Sequence, residues 1–123
     1  MVAALFDTCI LIDYLNGLPE ARDELARHDD IAISVISWME TMVGAPVGFE
    51  EATRAFLAGF KQITLTPDIA ESSVRIRRDN KLRLPDAIIR ASAEVSGRLL
   101  VTRDEKAFGL ASVGVRIPYK VTN

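Results

Sequence analysis

A single cysteine, Cys9, and a single histidine, His28, are all this chain has of the residue types that most often carry nucleophilic or soft-metal chemistry. No internal disulfide can form, no cage of thiolates can hold zinc, and neither a Ser-His-Asp triad nor a histidine acid–base pair is expected. Basic charge is not in excess: 15 Lys and Arg stand against 17 Asp and Glu, for a net charge of -2. A polyanion can then be gripped only through a local basic patch or through bound divalent ions. The glycine patterns G-x-x-x-x-G-K-[ST] and G-x-G-x-x-G are missing, which removes phosphate-loop and dinucleotide readings. The one long apolar stretch, residues 31–49, is interrupted by Glu40, Gly44, Pro46 and Gly48 and predicts no membrane span. The N-terminus enters a strand-like run without the charged, long apolar and small-residue regions of a secretory signal, so a reducing, cytoplasmic setting is expected.

What is present predicts one domain over residues 1–123. The chain is 49% hydrophobic and has no low-complexity stretch. At its length a folded chain buries about two-thirds of its unfolded surface. Short β-rich runs alternate with helical patterns. Strands are predicted at 2–6, 31–34, 63–66, 98–102 and 113–117. Helices are predicted at 8–16, 19–28, 36–44, 49–60, 67–79 and 85–96, with a further turn from 104. Pro19, Pro67 and Pro85 stand at or beside helix starts, and Gly97 is placed to cap a helix end. Such alternation means an α/β fold of three layers, a central, mostly parallel sheet of four or five strands between helices.

Four acids stand where the chain is otherwise apolar. Asp7 closes the run Val2 to Phe6, Glu40 is the only charge between Asp30 and Glu50, Asp86 opens Ala87-Ile88-Ile89, and Asp104 follows Leu99 to Arg103. Burying an ionised carboxylate without a partner is so costly that four such placements call for a shared cation. Asp7, Asp86 and Asp104 also suit helix N-caps, but Glu40 falls mid-helix and has no such explanation. In a parallel sheet, side chains leaving separate strand ends converge at the carboxyl edge, which gives all four acids a common address. Oxygen ligands of this kind suit Mg²⁺, with Mn²⁺ as a substitute, and the chemistry expected of them is phosphodiester hydrolysis.

Just before Asp86, the segment Arg75 to Arg83 carries five positive charges against one negative. It reads either as a solvated helix face or as a phosphate-gripping lip formed by Arg77, Arg78, Lys81 and Arg83. Trp38 and Phe49 can stack a base or simply pack. His28 reads as a surface residue and Cys9 as core.

The strings Phe6-Asp7-Thr8-Cys9-Ile10-Leu11-Ile12-Asp13, Ser34 to Glu40, Leu84-Pro85-Asp86-Ala87 and Leu100-Val101-Thr102-Arg103-Asp104, in this order, resemble the PIN domain. They are most like the VapC-type toxins of bacterial and archaeal toxin–antitoxin pairs. The resemblance implies a metal-dependent endoribonuclease acting on RNA, commonly tRNA or ribosomal RNA. It implies metal-site acids at Asp7, Glu40, Asp86 and Asp104, with Thr8 and Thr102 as hydroxyl support. It also implies a homodimer, silenced by a VapB-like antitoxin whose tail covers the pocket; the apolar stretch from Trp38 to Phe49 is the expected pairing surface. The glycine- and proline-rich joint at 44–48 departs from the family pattern. Two other classes remain: a catalytically silent scaffold with the same fold, and a phospho-receiver domain. For the receiver, Lys106 is available, but no acceptor aspartate follows the central strand until Asp68.

Overall fold

The computed structural model describes residues 2–109 and 113–121. Within them lie five strands, β1 (Ala4–Phe6), β2 (Ile31–Ser34), β3 (Lys61–Ile63), β4 (Leu99–Val101) and β5 (Val115–Arg116). Seven helices connect them: α1 (Thr8–Leu15), α2 (Pro19–Ala26), α3 (Val35–Val43), α4 (Glu50–Leu57), α5 (Pro67–Asn80), α6 (Leu84–Ser96) and α7 (Glu105–Phe108). All strand pairings are parallel, in the order β3-β2-β1-β4-β5. The three-layer expectation therefore holds, with five strands.

The central strand has no polar side because both of its faces are covered. A parallel strand between helix layers reads as a continuous apolar run, and Ala4, Leu5 and Phe6 are all fully buried. Leu5 and Leu100, paired in register, face a core of Ile69, Ile76, Ala87, Ile89 and Phe108. Ala4, Phe6 and Val101 point the other way, onto Ile10, Leu11, Ala21 and Leu57. Each helix start has a local cause. Ser34 caps α3 through the Ser37 N–H at 3.1 Å, and Thr66 caps α5, whose first residue is Pro67, through Ile69 N–H at 3.3 Å. Gly97 ends α6 in the left-handed conformation at φ 69°.

Two expectations shift. The third strand uses Lys61–Ile63 rather than 63–66, with Ala32, Ile33 and Ser34 opposite it. At the sheet edge, backbone pairing decides the strand, and the apolar Leu65 is left exposed beyond it. His28 is not a surface residue: its side chain is 11% exposed, its Nε2 lies 2.8 Å from Glu24 Oε2, and its ring meets Phe6 edge-on. Glu24, 2% exposed, also receives both Nε and Nη2 of Arg116, at 2.7 and 3.0 Å, which staples α2 to β5. Among the described residues no helix is long and apolar enough to cross a membrane.

Candidate active site

The strand order puts a switch point between β1 and β4. From β1 the chain builds outward through β2 and β3 on one side, then returns to lay β4 on the other. A crevice opens beyond the carboxyl ends of two such strands, because their connections diverge to opposite faces. Asp7 leaves β1 there, and its N–H binds the Val101 carbonyl at 2.9 Å. Thr102, Arg103 and Asp104 leave β4 beside it.

Asp7 is 5% exposed and densely bonded. It caps α1 by accepting the Thr8 N–H at 2.8 Å on Oδ1, while Oδ2 accepts the Thr102 hydroxyl at 2.7 Å and faces the Cys9 thiol at 3.4 Å. Burial pushes its pKa above the ordinary value of 3.8 despite those hydrogen bonds, and the charge of Asp86 adds to the rise. Burial and the neighbouring Asp7 likewise push the Cys9 thiol up to about 12, so Cys9 is a neutral, unreactive thiol at physiological pH.

Two threonines tie Glu40 and the main chain of Asp104, but not Asp86, to this centre. Thr8 Oγ1 lies 2.7 Å from Glu40 Oε1 and 2.9 Å from Ser37 Oγ, tying α1 to α3. Thr102 Oγ1, besides donating to Asp7, accepts the Asp104 N–H at 3.1 Å. Asp104 caps α7, its Oδ1 accepting the Ala107 N–H at 3.1 Å. Asp86 is the third residue of α6 and not its cap, which is Arg83; the Arg83 Nε stands 3.3 Å from Asp86 Oδ2. Arg77, Arg78, Lys81 and Arg83 are exposed. Among the described residues the first three have no acidic partner.

Sequence reasoning missed four participants here. Ser37 is fully buried against Thr8, and Arg103 and Tyr119 both bind Asp13. The signal for Asp13 was available, since it is the only charge within 8–16, the same criterion that singles out Glu40. Among the described residues no three acid, histidine or cysteine side chains stand close enough to grip one ion together. Mg²⁺ does not require that: it keeps several waters and leans on one or two carboxylates plus substrate phosphates. Asp7, which feels the charge of Asp86, and Asp86 itself are both hard oxygen donors of the kind such an ion takes.

The comparisons agree with this fold. The family model of the PIN domain matches residues 4–113. A solved toxin–antitoxin complex from Klebsiella pneumoniae is similar at 46% identity and a TM-score of 0.92, covering 97% of this chain and 100% of that one. VapBC2 from Rickettsia felis, bound to a promoter DNA fragment, shares 21% identity at a TM-score of 0.73, covering 87% of this chain and 91% of that one. VapBC-5 from Mycobacterium tuberculosis shares 24% at 0.66, covering 98% and 100%. At these lower identities the likeness concerns the fold. No curated protein matches the chain. The chain belongs to the PIN domain family.

Proposed function

We propose that this chain is a Mg²⁺- or Mn²⁺-dependent endoribonuclease. It hydrolyses phosphodiester bonds of single-stranded or structured RNA, such as tRNA, rRNA or mRNA, and serves in the cytoplasm as the toxin of a toxin–antitoxin pair. The observation that carries this reading is the buried Asp7 carboxylate at the sheet's switch point, hydrogen-bonded by Thr102 and the Thr8 N–H yet disfavoured by burial and by the charge of Asp86. Such a carboxylate weakens the fold, and perturbed acids in a crevice mark chemistry.

Asp7 and Asp86 are the residues that would hold the ion, with Glu40 and Asp104 beside them. A bound ion would make a water a better nucleophile at neutral pH and offset charge on the scissile phosphate. The chain's own groups supply the placement. Thr102 fixes one oxygen of Asp7, and the Thr8 N–H fixes the other. Thr8 and Ser37 set the Glu40 carboxylate against α1, and Arg83 places a guanidinium next to Asp86, where a phosphate would lie. The partners proposed are RNA, a VapB-like antitoxin whose tail covers this pocket, and a second copy of the chain. Supporting a pairing surface on the stretch Trp38 to Phe49, Val43 is 88% and Val47 94% exposed, with Met39 and Phe49 exposed alongside.

Purified protein incubated with a structured RNA is expected to cut internal bonds in Mg²⁺ or Mn²⁺, and to stop when a chelator is added. Intact RNA across a range of divalent ions would reject the nuclease reading. For the basic lip, Arg77→Gln/Arg78→Gln is expected to weaken RNA binding and make the slope of log affinity against log salt shallower by about 0.7 per arginine that touches a phosphate. Unchanged affinity and slope in a binding titration would return the segment to a solvated helix face.

A further inference from the structure

We infer that Arg103 is a positioning residue for the acidic pocket, clamped by Asp13, itself held by Tyr119, so that it fixes the Thr102–Asp104 connection against α1. Asp13 lies in the last turn of α1 and is 8% exposed. It receives Arg103 on both oxygens, Nε on Oδ2 and Nη2 on Oδ1 at 3.1 Å, and the Tyr119 hydroxyl on Oδ2 at 2.8 Å. A two-toothed guanidinium–carboxylate pair sets orientation as well as distance. Cys9 sits four residues before Asp13, one helical turn away on the same face of α1. Its sulfur lies 3.6 Å from Thr102 Oγ1. The connection thus meets α1 twice, at Cys9 through Thr102 and at Asp13 through the Arg103 side chain.

Its neighbours are the residues whose placement matters. Thr102 on one side gives its hydroxyl to Asp7, and Asp104 on the other gives its N–H back to Thr102. Asp7 and Thr8 begin the same helix that ends at Asp13 and Leu15. The clamp therefore closes a loop of contacts from Asp7 through Thr102 and Arg103 to Asp13 and back along α1. Shielded ion pairs add little stability compared with apolar packing of the same volume, so fixing geometry is the role left to this one. Another two-toothed pair among the described residues, Arg116 with Glu24, joins α2 to β5; Arg116 touches this loop only through its main chain, whose carbonyl accepts the Thr102 N–H at 3.0 Å, so its side chain serves as the control.

For catalysis this inference rests on the nuclease reading, so the first test needs neither metal nor RNA. Amide hydrogen exchange in the metal-free protein is read by NMR at Thr8, whose N–H binds Asp7, and at Asp104, whose N–H binds Thr102. Arg103→Lys, which keeps the charge but loses the fork, and Asp13→Asn are expected to speed exchange at these two amides about tenfold or more, without matching acceleration in α6. Tyr119→Phe, which removes one hydrogen bond and no charge, is expected to do the same more weakly and keeps the test open should Asp13→Asn fail to fold. Arg116→Lys should leave both amides unchanged. Wild-type exchange in Arg103→Lys, or acceleration spread evenly over the fold as in a merely destabilised protein, would overturn the inference. In a second measurement, Arg103→Lys is expected to weaken Mn²⁺ affinity by about 10- to 100-fold, the usual effect of removing a residue behind the metal ligands, and to lower kcat with KM for RNA unchanged. If the wild type itself binds no Mn²⁺ and cuts no RNA, the nuclease reading fails while the exchange result still judges Arg103.

Discussion

Asp7→Asn is expected to lower RNA cleavage by about a thousandfold or more, since ion placement and water activation together supply several kcal/mol of transition-state stabilisation and each 1.4 kcal/mol is a factor of ten. The same change is expected to leave the metal-free fold at least as stable as the wild type. Asparagine keeps the size of the side chain and an acceptor for the Thr8 N–H, and it removes a charge that burial disfavours. The sign with pH follows. Because the folded protein holds the Asp7 pKa above 3.8, the contribution of this group to stability is full below that value and is lost as pH rises through the folded pKa. Melting curves of the metal-free variant should lack that component. Saturating Mg²⁺ should raise the Tm of the wild type, by the equivalent of about 2.7 kcal/mol at a hundred times Kd, and should barely move the variant. Wild-type cleavage by Asp7→Asn would remove this residue from the site, and a lower metal-free Tm would show that its charge stabilises the fold.

Glu24→Ala is expected to cost about 3–5 kcal/mol, the range for removing one partner of a buried ion pair, and so to lower the Tm by roughly 10–20 °C in a domain of this size. The substitution leaves the Arg116 guanidinium facing a cavity and strips His28 of its acceptor, at the joint where α2 holds β5 to the sheet. The pH dependence runs opposite to that of Asp7. Burial alone would raise the Glu24 carboxyl, but the hydrogen bonds and charges of Arg116 and His28 together hold it below its ordinary 4.5. Its stabilisation is present above that value and is lost as pH falls through the folded pKa. Thermal melts from neutral to acid should show that loss in the wild type and not in Glu24→Ala. A Tm within a few degrees of wild type at neutral pH would contradict the account.

The contrast between Asp7 and Glu24 separates two uses of a buried acid, and they differed in legibility. Asp7 stood out because it ends an apolar run, and Glu40 because no helix cap explains it. Glu24 sits in the polar string Pro19-Glu20-Ala21-Arg22-Asp23-Glu24, where nothing in composition distinguishes a buried acid from its solvated neighbours. Its partner Arg116 lies 92 residues away, on the last strand. His28 was misread for the same reason: flanked by Asp29 and Asp30, it reads as solvated, and only Phe6 and Glu24 enclose it. For the third strand, local apolar content favoured 63–66, but the edge pairing with Ala32 to Ser34 selected Lys61–Ile63.

From its residue pattern alone this chain specified an α/β architecture, the positions of most helices and strands, and the acids worth asking about. Those are local matters of period, capping and the cost of a charge among apolar neighbours. Strand order lay beyond it. Only the folded sheet placed β4 against β1, and that single adjacency puts Thr102 on Asp7 across 95 residues and lets Arg103 reach Asp13 across 90. Side chains so far apart in the chain meet because both faces of the central strands must be buried, a requirement of the whole packing that no local window can express.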